Sequence, residues 1–226
     1  MLLSVLIPAY NEINNIQNIL EKIGEVNIPM EIIVVDDGST DGTRELLTTL
    51  KSDKIKVVFH EKNQGKGGAI KTAIEHSKGD IIIIQDADLE YDPQDYYKLI
   101  PVIESGKTKV VYGSRFLNKQ NKHSYFSFFL GGQVVTWITN ILYLQNLTDE
   151  PTCYKVFDAK LLKSIKLNCT GFEFCPEVTA KIAKLGYKIP EVAISYYPRS
   201  ISEGKKINWK DGVEAIWVLF KYRFVN

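Results

Sequence analysis

At 226 residues, 45% apolar and with a formal net charge of +1, the chain can bury a sizeable core and has no global charge to draw it to nucleic acid. Its cysteines, Cys153, Cys169 and Cys175, are odd in number and lack Cys-x-x-Cys spacing, which argues against a disulfide framework or a zinc site and for buried thiols in a reducing compartment. Phosphate or metal chemistry must therefore come from local clusters, in one large α/β domain or one domain with a small appendage.

In chain order, the apolar run Leu2 to Ile7, closed by Pro8, predicts a buried first strand with no basic leader segment or cleavage site. Ile13, Ile16, Ile19, Leu20 and Ile23 keep helical spacing, with Asn11 or Asn14 as cap. Glu31 to Val35 is a second strand, ending at Asp36-Asp37-Gly38-Ser39-Thr40-Asp41-Gly42-Thr43, a loop from which Asp41 or Thr43 can cap the next helix. Ile55 to Phe59 is a third strand, and Asn63-Gln64-Gly65-Lys66-Gly67-Gly68 opens a helix through Ile74. Ile81-Ile82-Ile83-Ile84 reads as a strand buried on both faces, followed by Gln85-Asp86-Ala87-Asp88-Leu89-Glu90. Pro93 starts a helix through Ile103, and Val110-Val111-Tyr112 is a fifth strand ending in Gly113-Ser114-Arg115. This alternation predicts an α/β fold, a mainly parallel sheet with helices on both faces, whose ligands bind beyond the carboxyl ends of strands.

The second half is less regular. Ser124 to Thr148 contains no charged residue, but its glycines and amides favour a packed or interfacial helix over a membrane span. Asp158 starts a helix through Leu162, another runs from Glu173 to Leu185 and stops at Gly186, Ile189 to Tyr197 is a strand, and Trp209 to Phe224 is a final helix. There is no internal repeat, low-complexity run or linker.

Charge at the end of a buried strand should emerge where the strand stops. Alternation along an extended chain would point Asp86, Asp88 and Glu90 the same way, an oxygen set suited to magnesium or manganese with room for phosphate. An acidic, solvated loop is the competing reading. Asp37 can accept from a base or from ribose hydroxyls, or merely from nearby backbone amides. Gly65 to Gly68 offers helix-start amides plus the Lys66 cation to an anion, or forms only a tight turn, since the Walker and dinucleotide spacings are missing.

Pro8-Ala9-Tyr10-Asn11-Glu12, Asp36 to Thr43, Asn63-Gln64-Gly65-Lys66-Gly67, Asp86-Ala87-Asp88 and Gly113-Ser114-Arg115, in this order, resemble the family 2 glycosyltransferases with the GT-A nucleotide-sugar fold. The resemblance covers nearly the whole chain and is strongest to the polyprenyl-phosphate branch. It implies a single domain over residues 1–226, with 1–115 binding the nucleotide sugar and 116–226 the acceptor. The implied activity is inverting, metal-dependent transfer of a hexose from GDP-mannose or UDP-glucose to a dolichyl or undecaprenyl phosphate, with Mg2+ or Mn2+ as cofactor. Pro8, Tyr10, Glu12 and Asp37 match the family's contacts to the donor base and ribose. Asp86 and Asp88 match its metal pair, and Glu90 stands where the nearest relatives have a Gln, so the implied metal set is Asp86, Asp88 and Glu90. Asp88 and Arg115 are the implied catalytic residues, Arg115 holding the acceptor phosphate. Lys66 is a further anion-binding expectation, while Arg199, Lys205 and Lys206, in a run resembling the Arg…Gly-x-Lys element of the lipid-phosphate branch, could position the lipid acceptor's phosphate.

The resemblance is thinner on the acceptor side, where Phe126 to Gln133 lacks the arginines of the relatives. Asp149-Glu150 is the base candidate if the acceptor is a sugar hydroxyl, although its context resembles the lipid-phosphate enzymes and favours a structural or acceptor-side role. Glu177 fits a family acid near the acceptor mouth, and His60, His76 and His123 receive no role. Aromatic residues crowd Tyr125 to Trp137 and Trp217 to Phe224, for a membrane surface, for core packing or for a homo-oligomer interface. The expected setting is the cytoplasm, or the cytoplasmic face of a membrane as a peripheral protein. Two alternatives stand beside this: a transferase that extends a surface glycan through a hydroxyl, and a non-catalytic nucleotide-sugar-binding protein.

Overall fold

The computed structural model describes residues 1–122, 126–199 and 209–225; His123, Tyr125, Lys205 and Lys206 lie outside them, as do the side chains of Phe126 and Phe128. The first half runs β1 (Leu3–Ala9), α1 (Ile16–Gly24), β2 (Met30–Asp36), α2 (Thr43–Thr49), β3 (Ile55–Phe59), α3 (Lys66–His76) and β4 (Ile81–Ile84). A 3-10 turn at Pro93–Asp95 leads into α4 (Tyr96–Glu104) and β5 (Val110–Ser114). The second half adds α5 (Phe126–Tyr143), β6 (Lys155–Asp158), α6 (Ala159–Ser164), α7 (Phe174–Lys184), β7 (Glu191–Ala193) and α8 (Trp209–Phe224).

The apolar runs become the middle of one sheet, ordered β3-β2-β1-β4-β6-β5-β7. Strands β3, β2, β1 and β4 are parallel, and β5 is parallel to β7. Strand β6 runs antiparallel to both its neighbours, β4 and β5. All four residues of β4 are buried, as a strand covered on both faces requires. The sequence reading contains no β6, because its first residue is a lysine. Lys155 is nonetheless fully buried, its ammonium 3.7 Å from the centre of the Tyr112 ring and 2.5 Å from the Glu150 carbonyl.

Two boundaries differ from expectation for local reasons. Helix α1 begins at Ile16 rather than near Ile13, because Asn11 takes a positive φ of 52° and the Glu12 carbonyl closes the first turn onto the amides of Asn15 and Ile16. Neither Asn11 nor Asn14 caps it; the Asn11 side chain accepts from the Thr40 amide instead. Strand β7 is only Glu191–Ala193. Within the uncharged segment lies helix α5, and no helix among the described residues is long and apolar enough to cross a membrane.

Strand register fixes where a ligand can sit. Ala9 at the end of β1 pairs with Asp36 at the end of β2, and Leu6 pairs with Ile84 at the end of β4. The loops carrying Glu12, Asp37 and Asp86 therefore leave one edge of the sheet together, in the crevice where such folds bind ligands.

Candidate active site

The acidic turn hangs from Gln85. This side chain is fully buried; its carbonyl oxygen accepts from the hydroxyls of Tyr96 and Tyr154, each at 2.7 Å, and its amide donates to the Asp86 carbonyl. Beyond it the extended backbone ends. Leu89 takes a positive φ of 63°, and Asp88 Oδ1 accepts from the Glu90 amide. Alternation along a strand thus stops before Glu90, which turns inward to accept from the Tyr196 hydroxyl at 3.1 Å and from the Arg199 amide at 2.8 Å. This corrects the expectation of three convergent acids. Among the described residues no group of three or more Asp, Glu, His or Cys side chains is arranged to hold a metal ion.

Asp86 and Asp88 stay at the mouth, each facing a cation. Lys66 Nζ lies 2.5 Å from Asp86 Oδ1, and Arg199 Nη2 lies 2.8 Å from Asp88 Oδ2. Arg199 Nη1 also approaches Glu12 Oε2 at 3.7 Å, so Glu12, Asp88, Glu90 and Arg199 form one cluster. Burial, then the charges of Asp86 and Glu90, push the Asp88 carboxyl up to about 7 against the pull of Arg199. Burial works most strongly against the charge of Lys66 too, but Asp86, Cys153 and Cys175 together outweigh it and hold the ammonium above its usual range. A hard divalent ion that keeps phosphate oxygens in its shell needs only one or two protein carboxylates. Asp86 and Asp88 fit that role, whereas Glu90, bonded to Tyr196 and the Arg199 amide, is not placed as a third ligand.

Asp37 is almost wholly buried and is used inside the protein. Its Oδ1 accepts from the Gln64 amide at 2.8 Å and faces His60 Nδ1 at 2.7 Å, while Oδ2 accepts from the Gly65 amide at 2.8 Å. His60 Nε2 in turn meets the Thr72 hydroxyl at 2.9 Å. Asp37 therefore positions the loop that carries Lys66, and the residue missed by sequence reasoning is His60, whose partner lies 23 positions away. The expected anion nest is also not there to be used. The Gly65 amide bonds Asp37, the Gly67 amide bonds the Gly171 carbonyl, and the Gly68 amide bonds the Thr170 carbonyl. The glycines serve close packing: a Cβ on Gly65, whose φ is +83°, would lie 2.3 Å from the Thr170 oxygen. Gly65→Ala should accordingly destabilise the fold by about 2 kcal/mol or more, read as a lower denaturation midpoint in urea.

Pro8 is half-buried within β1 and Tyr10 is exposed. Arg115 is locked to fully buried Asp149, with Nε to Oδ2 at 2.7 Å and Nη2 to Oδ1 at 2.6 Å. Burial opposes the Arg115 charge most strongly, but Asp149, Tyr91 and Tyr196 together outweigh that and raise the guanidinium above its usual range. The guanidinium lies over the rings of Tyr196, at 5.1 Å, and Phe116, at 5.6 Å. Glu150 is fully buried, with its carboxyl raised by that burial against the pull of Lys155, and it accepts from the Thr179 hydroxyl at 2.9 Å. Glu177 accepts the amides of Asn168 and Cys169 and pairs with Lys181, away from the acidic turn. His76 contacts Lys56 on the surface.

A mostly parallel sheet with paired carboxylates at the exit of its central strand, between a lysine and an arginine, is the framework of a nucleotide-sugar transferase of GT-A type. The chain belongs to Glycosyl transferase family 2, whose family model matches residues 4–165. It is 31% identical to a UDP-N-acetylglucosamine–dolichyl-phosphate N-acetylglucosaminyltransferase of Methanococcus voltae, over 91% of this chain and 90% of that one. It is 28% identical to a dolichol-phosphate mannosyltransferase of Pyrococcus furiosus, over 91% of this chain but 59% of the relative's length. It likewise spans 53% of a Haloferax volcanii low-salt glycan biosynthesis hexosyltransferase, at 28% identity. In structure it matches glucosyl-3-phosphoglycerate synthase from Mycobacterium tuberculosis in complex with Mn2+, UDP and glucosyl-3-phosphoglycerate, with a TM-score of 0.77 at 20% identity, covering 99% of this chain and 80% of that one. At that identity the likeness speaks for the fold.

Proposed function

We propose that this chain is an inverting, metal-dependent glycosyltransferase that moves a hexose from a nucleotide sugar, GDP-mannose or UDP-glucose, to a polyprenyl phosphate. The observation that carries the reading is the Asp86–Asp88 pair at the sheet edge, held between Lys66 and Arg199. The dolichyl-phosphate names of two relatives support the acceptor class. Residues 1–115 form the donor half and 116–226 the acceptor half in this reading.

The donor diphosphate lies against the acidic turn, with Pro8, Tyr10 and Glu12 on the nucleoside side. Asp86 and Asp88 would hold Mg2+ or Mn2+, which would supply positive charge to offset that building on the leaving diphosphate. Lys66 and Arg199, paired with these same acids, exchange their carboxylate partners for phosphate oxygens when the donor arrives. Asp37 and His60 act earlier in the chain of cause, fixing the loop that aims Lys66. The acceptor attacks the anomeric carbon from the face opposite the diphosphate, so that centre inverts. A phosphate acceptor is already ionised and needs no base. Arg115 orients it, its guanidinium held in place by Asp149 through Nε and Nη2. A hydroxyl acceptor would need a reachable carboxylate, and Asp149 and Glu150 are both fully buried.

The test is nucleotide release with each donor, in Mg2+ or Mn2+, with and without polyprenyl phosphate. Release that depends on the lipid phosphate is expected. Release only with a saccharide would overturn the acceptor, and donor binding with no turnover under any condition would overturn the enzyme.

A further inference from the structure

All three tryptophans of the chain stand in water: Trp137, Trp209 and Trp217 are 65%, 75% and 66% exposed. They are not scattered. On α5, the exposed residues Leu130, Val134, Trp137 and Ile141 recur at helical spacing and run into exposed Leu144. On α8, exposed Trp209, Val213, Trp217, Phe220 and Phe224 do the same. Such spacing places each set on one helix face. The two helices share a buried seam of Val135 and Tyr143 with Val218, Leu219 and Tyr222, and the Tyr143 hydroxyl bonds the Leu219 carbonyl at 2.6 Å. The stripes therefore lie on two helices packed against each other, and together exceed the isolated apolar contacts normal on a protein surface.

We propose that the exposed apolar stripes of α5 and α8 dock on the surface of an anionic lipid bilayer. Charge selects that occupant. Helix α5 carries no charged residue, and α8 adds Lys210, Lys221 and Arg223 against Asp211 and Glu214. An indole ring, apolar with one polar edge, is suited to the headgroup level, and neither helix is long and apolar enough to cross the bilayer. Helix α5 also reaches the site with residues off its exposed stripe. Phe129 of α5 packs on Phe116, next to Arg115, while Gln133 bonds the Thr148 carbonyl and the Thr136 hydroxyl accepts the Glu150 amide. A phosphate carried on a lipid would thus meet Arg115 beside α5. Only this last consequence rests on the proposed acceptor, and docking can be measured without it.

The experiment is cosedimentation of the full chain, with no donor or acceptor, on vesicles of phosphatidylcholine alone or mixed equally with phosphatidylglycerol. Binding to the mixed vesicles at low salt is expected, with a blue shift of tryptophan fluorescence. The double substitution Trp137→Ser with Trp217→Ser should weaken it about tenfold or more, and Lys210→Glu with Lys221→Glu should remove the preference for the anionic mixture. Transfer to a short, water-soluble prenyl phosphate should be unchanged in the tryptophan variant. No binding by the native chain, or equal binding by the tryptophan variant, overturns the proposal. So does a native dimer in sedimentation velocity that the tryptophan variant dissolves, which makes the face an interface between copies. Vesicle binding without use of any prenyl phosphate leaves docking standing and sinks the acceptor reading.

Discussion

Asp88→Asn should lower transfer roughly 100- to 1,000-fold or more while leaving the fold no less stable near neutral pH. The two halves of that result come from one geometry. Asp88 and Asp86 are the carboxylates placed to hold the cation that offsets leaving-group charge, and an amide cannot replace an anionic oxygen there. The same carboxylate is a liability to the empty fold. Its folded pKa of about 7 lies above the ordinary 3.8, so the folded chain binds the Asp88 proton more tightly than the unfolded chain. Ionising it costs stability as pH rises from 3.8 through about 7, and the full cost is present above that window. Asn removes that cost and gives up the ion pair with Arg199. The advantage of the variant in melting temperature should therefore be larger at about pH 8 than at about pH 5. Transfer within a few fold of native would sink the metal assignment. A variant that unfolds at all pH values would instead make Asp88 a structural residue.

Much of the sheet is legible in the sequence because its strands are apolar runs with polar ends. Ile81–Ile84 and Ile55–Phe59 can be read directly, as can the closing helix Trp209–Phe224. Strand β6 cannot, since Lys155 announces solvent and is in fact covered by the Tyr112 ring. The positions of the acids were legible, but their directions were not. Period-2 alternation assumes extended backbone, and Leu89, with its positive φ, breaks that assumption between Asp88 and Glu90. The pairing of Arg199 with Asp88 joins residues 111 positions apart, a contact no local pattern encodes. The glycine-rich loop misleads for a different reason. Glycine permits close approach by a ligand or by another backbone, and only the fold reveals that Thr170 and Gly171 already occupy that place.

Asp149→Ala should cost about 3–5 kcal/mol of folding stability, the usual penalty for leaving one half of a buried ion pair behind. Asp149 is fully buried and takes three hydrogen bonds from Arg115, two from the guanidinium and one from the backbone amide at 2.9 Å. Its own amide is held by Glu191 of β7 at 2.9 Å, so the carboxylate is fixed before any substrate arrives. Removing it strands a guanidinium whose charge burial already disfavours. Asp149→Asn keeps the shape and one acceptor, and should cost about 1–3 kcal/mol. The denaturation midpoints of Asp149→Ala, Arg115→Ala and the double variant complete the measurement. If the pair acts as a unit, the double variant is no less stable than either single one, because no buried charge then lacks a partner. The same variants decide between acceptors. A general base converted to amide would lose transfer at every pH with the fold intact, whereas a residue that orients Arg115 should lose transfer only in step with acceptor affinity, as a raised KM for the lipid phosphate. An Asp149→Asn protein as stable as native yet inactive would return the hydroxyl acceptor to first place.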